Sequence, residues 1–258
     1  MSWGTYANRV HTVGPSRREA AFKREVRFLR QTMETSLSYH TLTIDGIERE
    51  LAVLNSDNLN EKTLCSMPGE TIKHGGLVYW MDNHWLVTEL DANNELYTKA
   101  KMEQCNYLLR WVAPDLETGE PTVIERWCII EDGTKYLTGE YGDNQFVITR
   151  GDSRIAMTIA KDPYSINLNR TNRFLIDDYD SANVLAYRLT KPFKLGGSFN
   201  GEGVLRFVLQ EVATEDTDNF ELHVADYYTY FPRHEAGDDT GDTTFDPAED
   251  VTGRRVLL

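Results

Sequence analysis

A chain of 258 residues with 40% apolar content, Tyr 13, Phe 10 and Trp 5 has enough aromatic and β-favouring surface for one large β-domain or two smaller ones, and too much for a disordered polypeptide. The formal net charge of -14 excludes a protein that neutralises phosphates over its whole surface, because counterion release requires clustered Lys and Arg. No run approaches the roughly 20 apolar residues that cross a bilayer, and MSWGTYANRVHTVGPSRR lacks the apolar segment of a signal peptide, so synthesis and residence in a cytosol are expected.

The ends differ in charge. Residues 1 to 30 carry seven bases against two acids, a net of +5, and residues 235 to 258 carry seven acids against two bases, a net of -5. A basic head and an acidic tail attract each other between copies, or attract charged neighbours, and salt weakens that attraction. Two solvated ends are the simpler alternative.

Ser16-Arg17-Arg18-Glu19 has capping-box spacing, and Phe22, Val26, Leu29 and Met33 follow at helical intervals along one face. A helix from about Arg17 to Thr35 is predicted, with a strongly basic opposite face. Arg17, Arg18, Lys23, Arg24, Arg27 and Arg30, together with Phe22, are therefore the candidate interface residues.

Beyond the helix the pattern becomes short alternating runs broken by turn residues. Asp45-Gly46 between Tyr39–Ile44 and Ile47–Leu54 is a hairpin signal, because tight hairpin turns require positive φ. Further hairpins are expected around Asp82-Asn83, Asn93-Asn94, Glu117-Thr118-Gly119 and Asp180 to Asn183. A short helix is expected over Asn219 to Tyr228. From Glu235 the run EAGDDTGDTTFDPAED has too few apolar residues to pack and is expected to be a flexible acidic tail.

Trp85–Tyr97 resembles Phe174–Tyr187 with one inserted residue. Two copies of one β-unit would give such an echo, and chance likeness between two hairpins is the alternative. The expected fold is mainly β: two small barrel- or sandwich-like units, related by internal duplication if the echo is real, with one N-terminal helix. The expected division is 1–38 basic arm and helix, 39–121 first β-domain, 122–234 second β-domain with a short terminal helix, and 235–258 acidic tail. Ala113–Pro121 would be the junction or a long hairpin.

No reaction chemistry assembles from spacing. His84 and Cys105 suggest a base and a thiol, but Cys105 lies between Gln104 and Asn106 at the start of a strand, without the cationic surroundings that activate a thiol. Three widely spaced cysteines, Cys65, Cys105 and Cys128, suit neither a disulfide framework nor a zinc site. Asp91–Glu95 begins like a calcium loop, yet its sixth position is Leu96 and its twelfth Met102. Gly196–Gly201 lacks the Lys and helix of a phosphate loop. Trp80, Trp85 and Trp111 alternate with aliphatic residues, which favours core over a sugar platform. No cofactor, metal or catalytic residue is expected, and the chain reads as a non-enzyme.

Gly76-Leu-Val-Tyr-Trp80 with Trp85-Leu-Val-Thr, Asn94-Glu-Leu-Tyr97, Cys105-Asn-Tyr-Leu-Leu-Arg-Trp111, Arg173-Phe-Leu-Ile176, Ala186-Tyr-Arg-Leu-Thr190 and Ala225-Asp-Tyr-Tyr228 occur in that order. Through them the span from about Ser38 to Phe231 resembles virion structural proteins of tailed bacteriophages and prophages, chiefly of Gram-positive hosts, assigned to the head-tail junction as head-closure or connector proteins. The resemblance implies a homo-oligomeric ring, made in the cytoplasm of the host bacterium and placed in the virion at the head-tail junction. A portal or adaptor would lie above it and tail proteins below, with genome DNA passing through the lumen without sequence-specific binding and no membrane involved. A tail, baseplate or capsid-decorating protein, binding glycans through exposed tryptophans, is the alternative within a virion.

Overall fold

The computed structural model describes residues 16–91, 94–132, 154–177, 184–193, 198–199 and 201–233. The basic arm before Ser16 and the acidic tail from Glu235 lie outside the described residues. Helix α1 (Arg17–Glu34) leads into strands β1 (Tyr39–Ile44), β2 (Ile47–Asn55), β3 (Glu61–Ser66), β4 (Leu77–Trp80), β5 (Asn83–Asp91) and β6 (Lys99–Gln104). These six strands close into an antiparallel barrel in the order β1-β2-β3-β6-β5-β4. The second unit contains β7 (Tyr107–Pro114), β8 (Pro121–Asp132), β9 (Arg154–Ala160), a 3-10 turn (Ser165–Asn167), β10 (Arg173–Ile176), β11 (Leu185–Phe193), β12 (Ser198–Phe199) and β13 (Glu202–Val212). It ends in a one-turn helix, α2 (Tyr227–Tyr230).

Turn chemistry sets the hairpins. Asp45 and Gly46 both take positive φ (49° and 81°), which leaves Ile44 paired directly with Ile47. Met81 and Asp82 do the same (50° and 57°) between Trp80 and Asn83. Ala113–Pro121 is the β7–β8 hairpin, with Pro114 opposite Pro121 and Gly119 at φ 74°. The first barrel is filled by alternate residues of its strands, including Leu42, Ile44, Leu51, Val53, Leu64, Val78, Trp85, Val87 and Met102.

The second sheet repeats the order of the first. Its path β7-β8-β9-β13-β11-β10 corresponds strand for strand to β1-β2-β3-β6-β5-β4, with β12 added against β13. The registers agree as well. In β5 the pairing skips Thr88, between Val87 opposite Met102 and Glu89 opposite Lys101; in β11 it skips Thr190, between Leu189 opposite Leu209 and Lys191 opposite Val208. The bulged residue is a threonine in both, and each hydroxyl donates to an oxygen of the neighbouring strand: Thr88 to Glu103 at 2.8 Å, Thr190 to the Val208 carbonyl at 2.9 Å. This equivalence superposes Trp85 on Tyr187, Val87 on Leu189 and Met102 on Leu209, all buried. Where β1 and β4 close the first barrel through backbone pairing, β7 and β10 meet through side chains, Trp111 edge-on to Phe174 at 6.4 Å.

Two expectations about the sheets change. The echo of Trp85–Tyr97 in Phe174–Tyr187 sets β5 against β10, whereas the strand order equates β5 with β11 and β4 with β10. The two β-units correspond, but the echo was displaced by one strand. The sheets also exchange at Cys105-Asn106 rather than near Pro121, because β7 pairs with β8 and not with β6. Asn106 fixes this crossing with its side-chain amide, which donates to the Ile130 carbonyl at 2.7 Å and accepts from the Ile130 N–H at 2.8 Å.

The barrels touch along one seam. Leu86, Cys105, Ile129 and Val204 form a buried cluster with Leu77, Trp127 and Ala160, and the His84 ring stacks on Trp127 at 4.3 Å. Backbone meets backbone at Gly75, φ 78°, where a Cβ would lie 2.0 Å from the Gly203 carbonyl oxygen. This seam explains why β5 is buried at four consecutive positions, Trp85 to Thr88. Trp85 and Val87 face the barrel interior, whereas Leu86 faces the other barrel.

The segment after β13 is held by Arg173. That side chain is 3% exposed, forks onto both carboxylate oxygens of fully buried Asp218 at 3.0 Å, and also donates to Asp226 at 2.7 Å and the Ala213 carbonyl at 3.0 Å. The helix expected over Asn219 to Tyr228 shrinks to α2. Asn219 accepts from the Glu221 and Leu222 N–H groups in an Asx turn, and positive φ at His223 and Asp226 (53° and 57°) interrupts helical continuation.

Candidate interface: the basic helix and the cleft between the barrels

Helix α1 begins as its sequence requires, with the Ser16 hydroxyl accepting from the Glu19 N–H at 3.1 Å. No residue of α1 is buried. Ala20, Val26, Leu29 and Met33 are half-buried, and Phe22 is just exposed. Among the described residues two hydrogen-bonded contacts tie the helix to the first barrel: Arg18 forks onto the Glu95 carboxylate at 2.8 and 2.9 Å, and Arg30 donates to the Pro68 carbonyl at 3.4 Å. Lys23 pairs within the helix with Glu19 at 3.0 Å.

The structure therefore divides the seven candidate residues. Phe22, Lys23, Arg27 and Arg30 come together with Val26 around a shallow groove of about 350 Å³ on one flank. Arg18, Lys23 and Arg30 are engaged within the chain. Arg17, Arg24 and Arg27 make no ion pair with any described residue and are exposed. At about 100° per residue these three and Phe28 share one arc of about 100° on the outer side. Phe28 is 61% exposed.

A second feature was invisible to sequence patterning. A cleft of about 890 Å³ opens between the barrels, walled by the 57–61 turn, the β6 end with Cys105-Asn106, and Ile129 to Glu131. Among the described residues its lining carries Asp57, Glu61, Glu103 and Glu131 and no basic residue, with Leu59 standing 89% exposed at the rim. Lys101 lies behind it, 2.9 Å from Glu61, and this bond, with burial opposing it, holds the Glu61 carboxyl below its usual range. The only sequence cue was a polar turn, Asp57-Asn-Leu-Asn-Glu61, containing one stray leucine. Nothing in the linear order joins it to Glu131.

Residues that suggested chemistry have structural surroundings. All three cysteines are free and buried, and burial pushes the Cys105 thiol up to about 12, opposite to what a thiolate nucleophile needs. His84 approaches Cys105 through its carbonyl, which accepts the Cys105 N–H at 2.8 Å, while its ring lies on Trp127. Trp85 and Trp111 are 4% and 3% exposed, so neither offers a sugar platform. Among the described residues no three of His, Cys, Asp or Glu converge as metal ligands, and no described helix is long and apolar enough to cross a membrane.

Comparison with curated proteins and with solved structures returned no match. Residues 22–104 match the family model of the YomX N-terminal domain, a name associated with Bacillus phages and prophages. The matched span runs from Phe22 in α1 to Gln104, the last residue of β6, so it covers α1 from Phe22 onward and the whole first barrel and stops where the chain crosses to the second. The similarity to a phage-associated domain thus lies in the first barrel with most of α1.

Proposed function

We propose that this chain is a non-enzymatic structural subunit of a phage virion, forming a ring of the head-tail connector below the portal that closes the DNA-filled head and joins it to the tail. Its support is the phage-related first barrel together with the ordered strand motifs that resemble head-closure proteins over both barrels. The observation that carries the reading is the pairing of two packed barrels with an external helix. Two barrels of one topology are locked at a backbone contact, and α1 lies outside them with no residue buried. A subunit that must hold its shape around a channel and grip a neighbour requires those two parts. The net charge of -14 suits a lumen that repels DNA and lets it pass, where a basic lining would retain it.

Removing the gene from the parent phage and examining the particles by electron microscopy tests this. The expected products are heads that lose DNA and free tails that fail to join them, both corrected by the full chain and not by a chain lacking residues 1–35. Joined particles lacking only a baseplate or a head decoration would contradict the connector role in favour of those positions.

A further inference from the structure

The Arg18 and Arg30 contacts of α1 lie at Glu95 and Pro68, beyond the Lys99 end of β6 and the Ser66 end of β3. The acidic cleft lies at the other ends of the same strands, Gln104 and Glu61. Each strand has six residues, so about 17 Å of strand separates the two features. The outer face of α1 faces solvent there, with three arginines lacking ion pairs among the described residues and an exposed phenylalanine. Among the described residues the cleft carries four carboxylates, of which Glu61 is paired with Lys101 at 2.9 Å and Glu103 accepts from Thr88 while Asp57 stands exposed, and an exposed leucine. Each surface offers the charge and the apolar contact the other lacks, and their placement keeps this face of α1 from the cleft of its own chain.

We propose that the outer face of α1, built from Arg17, Arg24, Arg27 and Phe28, docks in the inter-barrel cleft of a second copy of this chain. The contact names the joint of the ring put forward above and rests on that reading only in requiring a homo-oligomer. Donor and acceptor surfaces differ and lie apart, so the contact is head-to-tail, and repeating it closes a ring or extends a filament. The first barrel is closed and has no free strand edge, which leaves side-chain surfaces as its means of association. Exposed charges carry much of the contact, so it weakens as salt rises.

Sedimentation of the full chain reads this directly. At low ionic strength species above the monomer are expected, and they disappear at high ionic strength. R24E/R27E on the helix, and D57K/N60K at exposed cleft positions, are each expected to leave monomer only while melting like the wild type; mixing the two variants restores the larger species through swapped charges. If either pair alters melting, Arg24→Gln with Arg27→Gln, or Asp57→Asn alone, replaces it and must still weaken association. A wild type that stays monomeric at every ionic strength, variants that assemble as it does, or a mixture that stays monomeric overturns the contact. Restored assembly by a protein absent from the head-tail junction of particles supports the contact and removes the connector role, so the two fail separately.

Discussion

Single residues hold the two barrels together, and three make measurable statements. Gly75 combines a positive φ with a site where any Cβ meets the Gly203 backbone, which cannot retreat as a side chain can. Gly75→Ala is expected to cost about 2 kcal/mol or more, read as a lowered denaturant midpoint. An unchanged midpoint would show that the barrels do not touch there. Arg173 neutralises Asp218 in a buried site, so Arg173→Ala leaves an uncompensated charge and should cost about 3–5 kcal/mol, with earlier proteolysis of residues 213–231. Burial lowers the pKa of His84 below its ordinary value of 6.5. The unfolded chain therefore takes up this proton first as pH falls, and stability declines from about 6.5 down to the lower folded value. His84→Phe, which keeps a ring against Trp127, should flatten that part of the stability profile; an unchanged slope would assign it to another group.

At the scale of elements, α1 and the hairpins were legible in the sequence because their signals are local. A capping serine, a 3.6-residue apolar spacing and Asp-Gly at a positive-φ turn each act within a few residues. Ser16→Ala should loosen the first turns of α1 by about 1 kcal/mol, visible as faster amide exchange there. The barrel melting temperature should not move, since no residue of α1 is buried in it. The assignment of strands to sheets was less legible. β7 follows β6 after two residues, as a hairpin strand would, yet Asn106 turns it into the second sheet. The corresponding strands share few residues: Trp85-Leu-Val-Thr-Glu in β5 matches Tyr187-Arg-Leu-Thr-Lys in β11, with only the bulged threonine identical at its place in the register. The nearer-looking pair, Trp85–Tyr97 and Phe174–Tyr187, joins segments that do not correspond. Side-chain identity in a barrel is replaceable at constant volume and burial, while pairing order and bulge position are not.

For the whole molecule, two barrels of one topology, a phage-related first barrel and an external basic helix form one account of a virion ring subunit. The acidic cleft was hidden from the sequence because its walls come from three separate segments, 57–61, 103–106 and 129–131, and it becomes a surface only once the second barrel is laid against the first. Composition alone gives a net charge of -14; it places no surface on the molecule. Cryo-electron microscopy of the parent particle, reconstructed at the neck, tests the central claim most directly. The account predicts a ring between portal and tail, two barrels per subunit, and density for α1 of each subunit in the cleft beside Asp57 and Glu103 of its neighbour. A protein found at the baseplate, on the capsid surface or nowhere in the particle would contradict it.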